Sequence, residues 1–368
     1  MNNVFHAPVE QIERFSIEVL TKLGVPQDDA EVCAKVLIAS DLRGIESHGI
    51  GRLKMYFDRI REGIQFANTH IDVLSDRAAC ATWDGNHGMG HVIGTRAMQT
   101  AIDKARQYGL GSVAVRNSTH YGIAGYYASM AVNQGMIGIS YTNARPSIAP
   151  TNSNFPMLGT NPICFGAPSD LPYPFLYDAA TSITQRGKIE VLAREGLTTP
   201  EGWACDTEGH CETDTKRLLN ELVTGEAALL PLGGIDETAG SHKGYGLATM
   251  VEILCAALQN GSYLMGLLGF KDGKKVPYSL GHFFLAINIE FFTDPADFRR
   301  ITGDIMRQLQ NAPRIPGRNR IYVAGEKEYE NEIRVRREGV PIIPELQKDI
   351  EIMQNALSIS EFDFSSMK

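Results

Sequence analysis

Two textures of hydrophobic patterning divide this chain, and the change between them constrains the fold more than any other feature. Through the first sixty residues apolar side chains recur at helical steps. Val9, Ile12, Phe15, Val19, Leu20 and Leu23 form one run, Cys33, Val36, Leu37 and Ser40 a second, and Leu53, Tyr56, Phe57 and Ile60 a third. From about residue 75 the pattern shifts to short apolar runs punctuated by glycine: SVAVRN after Gly111, MIGISYTNA after Gly135, PICFGAPS after Asn161 and FLYDAAT after Pro174. Helical stretches such as Thr95 to Tyr108 intervene. Strands alternating with helices specify an α/β sheet, with mixed or parallel pairing.

Residues 197 to 242 are acidic and glycine-rich with little periodicity, Lys243 to Leu258 reads as a buried helix, and HFFLAINIEFF reads as another strand. The tail from Pro295 returns to helix and needs an apolar partner, which the amino-terminal helices also need. The expected division is therefore a helical lobe of residues 1–75 joined by 295–368, and an α/β domain of residues 76–294 carrying cofactor binding and catalysis.

At 368 residues the chain can bury a substantial core in two lobes around a cleft. A net charge of −8 argues against nucleic acid, which needs clustered Lys and Arg. The start, MNNVFHAPVEQIERF, lacks a basic segment followed by an apolar core, and no later run approaches the roughly eighteen apolar residues of a membrane span. Six cysteines without a CxxC pair read as thiols in a reducing compartment, so a cytoplasmic setting is expected.

Three segments are candidates for chemistry. In ESHGIGRLKMYFDRI, a helix beginning near Ser47 puts His48, Arg52 and Tyr56 on one face. Arg grips a carboxylate, His exchanges a proton near neutral pH and Tyr donates a hydrogen bond. The same spacing also describes a solvated helix face. In NSTHYGIAGYYASMA, His120 falls on a strand-to-helix loop, where α/β folds place ligands, though loop histidines are more often structural. In GSHKGYGLATMVE, glycines and Lys243 open a helix whose unpaired N–H groups suit phosphate; tight helix packing is the alternative. Thr160 and Asn161 of the GTNP turn read as secondary polar contacts to substrate, or as shapers of the turn before Pro162. Gly88, Gly90 and Gly94 mimic a dinucleotide fingerprint with the wrong spacing and no following acid, and His87 with His91 lacks a third metal ligand. No metal is expected.

The motifs SDLRGIESHGIGRL, RNSTHYGIAGYYA, GTNPICFGAPS, YDAATSITQRGKIE, GWACDTEG, SHKGYGLATMVEIL and GEKEYENEIRVRREGVPI occur in order along the chain. Together they resemble the malate/L-lactate dehydrogenase family, which is distinct from the Rossmann lactate and malate dehydrogenases and also contains ureidoglycolate, sulfolactate, diketogulonate and piperideine-carboxylate oxidoreductases. The resemblance implies a non-Rossmann, mixed-sheet NAD(P)-binding domain, a helical lobe formed by both chain ends, and a homodimer. It implies that His48 or His120 is the acid–base residue, since family members differ, and that Arg52 and Tyr56 lie at the substrate. It implies a cofactor, NAD or NADP, along Asp178, Ala179, Ala180, Thr181 and Ser182, at His242 and Lys243, and at Gly325, Glu326 and Lys327. The stretch GGIDETAGSHKG is longer than the glycine turn common in relatives.

The activity expected is hydride transfer between a nicotinamide cofactor and a small 2-hydroxy or 2-keto carboxylic acid, malate- or lactate-like, with His120 favoured for the proton. The alternatives are reduction of a cyclic 2-imino acid on the same scaffold and a catalytically silent ligand-binding protein.

Overall fold

The computed structural model describes residues 5–364; the first four and last four residues, assigned above to the helical lobe, lie outside the described residues. β1 (Phe5–Ala7) leads into α1 (Val9–Lys22) and α2 (Gln27–Leu42). Pro8 and Pro26 stand immediately before the helices, where fixed φ starts a turn and a missing N–H costs little. The periodic residues of α1, from Val9 to Leu20, are buried.

The next segment departs from the sequence reading, because His48, Arg52 and Tyr56 do not share one helix. Two 3-10 turns, Glu46–His48 and Ile50–Arg52, precede α3 (Leu53–Arg61). Gly49 is pressed against the buried Asp41 carboxylate, where a Cβ would lie 1.7 Å from Oδ1, and Ile50 N–H donates to Oδ2 at 2.8 Å. That contact breaks the helix and fixes the turn that carries His48.

β2 (Asp72–Arg77) and β3 (Cys80–Asp84) pair antiparallel, and α4 (Gly90–Tyr108) crosses over to β4 (Leu110–Ser118), parallel to β3. After α5 (Ala124–Val132), strands β5 (Ile137–Thr142), β6 (Ile163–Ala167) and β7 (Phe175–Ala179) follow antiparallel. Next come α6 (Arg186–Glu195), β8 (Ala204–Asp206), α7 (Thr215–Thr224) and β9 (Ala227–Leu229). The stretch with little periodicity thus contains a helix. Asp214 caps α7 by accepting the Lys216 and Arg217 N–H groups, both at 3.0 Å. Ile148, Ile189, Leu218 and Leu229 form a small core beneath these elements.

α8 (Ser241–Ala256) is likewise not wholly buried, since Leu247, Met250 and Ile253 remain exposed. A hairpin of β10 (Phe270–Lys271) and β11 (Lys274–Lys275) precedes β12 (Leu280–Ile287), which inserts antiparallel between β4 and β5. The sheet reads β2-β3-β4-β12-β5-β6-β7 and is mixed, unlike the parallel doubly wound order of a Rossmann domain. One of its faces packs against α4 and α5 through Ile93, Met98, Val113, Tyr127 and Phe284.

α9 (Pro295–Gln310), α10 (Glu326–Glu338), β13 (Val340–Ile342) and α11 (Pro344–Leu357) complete the chain. β13 pairs with β1, and Phe362 and Phe364 set their rings edge-on to Phe15 at 5.5 and 5.2 Å, so one core contains both chain ends. α9 is tied elsewhere, by Arg307 gripping Asp170 between β6 and β7 at 2.9 and 3.1 Å. Among the described residues no helix is long and apolar enough to cross a membrane.

Candidate active site

β4 ends at Ser118 and α5 begins at Ala124, so His120 stands on a loop at a strand end. From α3, the fully buried Tyr56 brings its hydroxyl to 2.6 Å from His120 Nδ1, and Gly122 N–H reaches the same nitrogen at 3.4 Å. Nδ1 is engaged by the phenol, as donor or acceptor according to the tautomer, and Nε2 is left for a ligand. The His48 ring stacks on His120 with centroids 5.4 Å apart, and its Nδ1 lies 2.8 Å from Ser47 Oγ. Arg52 donates from Nε to the Ser47 carbonyl at 2.5 Å and has no carboxylate partner among the described residues. The four residues singled out from sequence therefore converge, although on two 3-10 turns, a helix and a loop.

Burial lowers the His48 imidazole to about 4, helped by the Arg52 guanidinium. Burial also holds His120 well below its ordinary value, reinforced by the charges of His48, Arg59, Arg52 and His91. Both rings are neutral at pH 7, while burial keeps Tyr56 protonated.

The glycine segment that imitates a dinucleotide fingerprint is a support for His120. A Cβ on Gly90 would meet the carbonyl oxygens of Thr119 at 2.4 Å and His120 at 2.6 Å. Gly90 N–H donates to Thr119 Oγ1 at 3.0 Å, and that hydroxyl donates to the Gly88 carbonyl at 2.7 Å. Fully buried His91 sets its ring edge-on to Tyr56 at 4.8 Å. His87 is engaged by the Tyr278 carbonyl at 2.9 Å, and among the described residues no group of three or more His, Cys, Asp or Glu is placed to hold a metal.

Asn161 is not placed as a free polar contact. It is fully buried, and its amide donates to the Ala248 carbonyl at 3.0 Å and to Glu252 Oε2 at 2.8 Å, tying the GTNP turn to α8. The Thr160 carbonyl accepts from the Thr181 amide at 2.9 Å and from its hydroxyl at 3.0 Å. Thr181 and Ser182 both use their hydroxyls on nearby carbonyls. The Asp178 carboxylate accepts the Gly125 N–H at 2.6 Å and so fixes the start of α5 just after His120; burial raises it to about 6 against that bond and Arg43. Ala179 ends β7, and Ala180 follows it.

His242 and Lys243 are exposed in the first turn of α8, and Lys243 has no ion pair among the described residues. Gly325 packs so closely on β7 that a Cβ would lie 2.6 Å from the Pro174 carbonyl. Glu326 turns inward to Arg320 and the Val323 N–H, whereas Lys327 is exposed over the Tyr322 ring at 4.7 Å. The sequence reading missed Asp41, Thr119 and Arg59. For Arg59 the signal was present, since it follows Arg52 and Tyr56 at helical spacing.

Paired imidazoles, a phenol and a guanidinium without a carboxylate partner among the described residues thus stand together at one end of a mixed sheet. The chain belongs to the malate/L-lactate dehydrogenase family, whose model matches residues 7–351. It is 44% identical to a malate dehydrogenase of Pyrococcus abyssi over 92% of this chain and 91% of that protein. It is 36% identical to an L-sulfolactate dehydrogenase of Methanocaldococcus jannaschii over 96% and 98% of the two chains. The crystal structure of malate dehydrogenase from Entamoeba histolytica superposes with a TM-score of 0.94 at 42% identity, covering 98% of this chain and all of that one.

Proposed function

We propose that the chain transfers a hydride between a nicotinamide dinucleotide, NAD or NADP, and the 2-carbon of a small 2-hydroxy or 2-keto carboxylic acid of the malate or lactate kind. The observation that carries this reading is the Tyr56–His120–His48 stack beside the unpaired Arg52. Arg52 holds the substrate carboxylate, and His120 Nε2 gives a proton to the developing alkoxide or takes it back from the hydroxyl. Burial is the main cause that holds the imidazole low, and a bound carboxylate offsets the guanidinium charges that add to it, which favours the doubly protonated ring.

The residues present fit a dinucleotide. Leu232 N–H donates to the Thr181 carbonyl at 2.9 Å, and a Cβ on Gly233 would strike the Gly240–Ser241 backbone at 2.4 Å, so segment 178–182 adjoins the α8 amino terminus. Leu176 N–H donates to the Ala324 carbonyl at 3.2 Å, joining the Gly325 segment to the same strand. The Lys243 side chain in the first turn of α8 would hold phosphates, the Ser241 and Lys243 N–H groups being taken by the Asp236 and Gly240 carbonyls. When bound, the dinucleotide supplies the hydride donor or acceptor. The uncovered apolar face of α8 supports a homodimer, and six cysteines without a disulfide support a cytoplasmic setting.

Initial rates of NADH and NADPH oxidation with oxaloacetate, pyruvate and piperideine-2-carboxylate test the reading. Turnover of a keto acid is expected; turnover of the cyclic imine alone, or binding of neither cofactor, overturns it. Two variants refine it. Arg52→Lys loses a bidentate grip worth about 1.5–3 kcal/mol, so KM for the acid rises roughly ten- to hundredfold with cofactor affinity kept. Lys243→Ala weakens cofactor binding in calorimetry and makes the remainder less salt-sensitive; wild-type affinity would return this turn to a packing role.

A further inference from the structure

We infer that Cys205 and Cys211 form a reversible redox site, a thiol pair that hydrogen peroxide converts into a disulfide across one hairpin. Neither cysteine belongs to the proposed catalytic machinery, and both thiols are free in this structure. β8 carries Cys205, and Cys211 stands opposite it as an antiparallel bridge partner. The flanking bonds define the kind of pair. Asp206 N–H donates to the His210 carbonyl at 3.0 Å and Glu212 N–H to the Ala204 carbonyl at 3.1 Å, so the cysteines exchange no backbone bond of their own. A non-hydrogen-bonded pair of this type brings its Cα atoms to about 4.5 Å and sets its side chains on the same face. Disulfides span Cα separations of about 4.4–6.8 Å, so this pair can close with little backbone movement. The turn between the two is fixed as well: Asp206 Oδ1 accepts the Glu208 N–H at 2.9 Å and the His210 N–H at 3.0 Å, and Gly209 supplies the left-handed φ of 84° that the turn requires.

Burial divides the work between the two thiols. Cys205 is fully buried against Ala149, Ala228 and Leu230, and that burial pushes its thiol up to about 11. Charge on Cys211 is felt at Cys205, so the two sulfurs are neighbours, yet Cys211 itself is exposed. The accessible thiol is the one an oxidant meets first. Cys211 sulfur attacks a peroxide oxygen, the O–O bond breaks, and one water leaves as Cys211 becomes a sulfenic acid. Cys205 sulfur then attacks Cys211 sulfur, the S–O bond breaks, and the hydroxyl departs with the Cys205 proton as a second water. Two thiols are thereby oxidised to one disulfide and one peroxide is reduced to two waters. A thiol reductant reverses the bond by exchange, which suits a transient disulfide in a reducing compartment. Cys80, the other exposed cysteine, lacks this arrangement: its strand partners are Arg77 and Ser112.

The test exposes the full chain to a small excess of hydrogen peroxide, counts free thiols after denaturation and maps peptides without reduction. The result expected is the loss of two of the six thiols, a Cys205–Cys211 linkage within one chain, and return of both thiols with dithiothreitol. Cys80→Ser forms the same linkage. Cys211→Ser, a change at an exposed position, keeps Cys205 reduced under the same treatment. Cys205→Ala leaves the Cys211 sulfenic acid without its partner, so Cys211 goes on to a sulfinic acid that dithiothreitol does not restore. If that buried change prevents folding, Cys211→Ser and the peptide map decide alone. A wild type that keeps all six thiols, that carries Cys211 as sulfinic acid beside a reduced Cys205, or that loses its thiols to links between chains overturns the site, as does oxidation of Cys205 in Cys211→Ser.

Discussion

Replacing His120 with asparagine lowers turnover by about two to four powers of ten while cofactor affinity stays at the wild-type value. Asparagine keeps hydrogen-bonding capacity and removes titration. The size of the loss follows from the setting of the ring: Nδ1 is held by Tyr56 and Gly122, so Nε2 is the one nitrogen open to a substrate oxygen. His48→Asn is expected to lose less turnover and more substrate affinity, because His48 lies beside Arg52 and reaches the proton path through stacking on His120. Single-turnover rates and cofactor titrations of both variants measure the difference. A larger turnover loss in His48→Asn would exchange the two roles.

Gly90→Ala is the second large effect. The added Cβ would meet two backbone carbonyl oxygens, those of Thr119 and His120, and neither is the end of a flexible side chain. Overpacking of this kind costs about 1–3 kcal/mol in stability. The carbonyl that must move belongs to His120, and displacement of a catalytic group by about 1 Å costs roughly a hundredfold in rate. Denaturant unfolding and kcat should fall together, with cofactor affinity less affected. Gly187→Ala, where a Cβ meets nothing within 4 Å, is the matched control. A Gly90→Ala protein with wild-type stability and turnover would show that the α4 terminus does not set the position of His120.

The parts of the fold and site readable from sequence are those written in local pattern. Helical spacing revealed α1, α2 and α3, and the same spacing drew attention to His48, Arg52 and Tyr56. It did not reveal the two 3-10 turns, because their cause is Asp41, a buried acid whose contact with Gly49 and Ile50 has no periodic signature. Asn161 read equally as a substrate contact and as a shaper of its turn, and its amide's bond to Glu252, 91 residues away, has no local signature. Asp178 similarly answers to Gly125, 53 residues away. The position of β12 in the middle of the sheet comes from long-range pairing that alternation cannot encode. α7 is different: it was passed over, although Asp214 and Gly225 bracket its run as cap and stop.

The most direct measurement of the central claim is stopped-flow hydride transfer in the oxidative direction, for wild type and His120→Asn, from about pH 5 to 9. In wild type the rate should rise with pH as the substrate-bound imidazole loses its second proton and becomes a base, and in His120→Asn that ascending limb should be gone along with most of the rate. An unchanged pH profile in the variant would contradict proton transfer by His120.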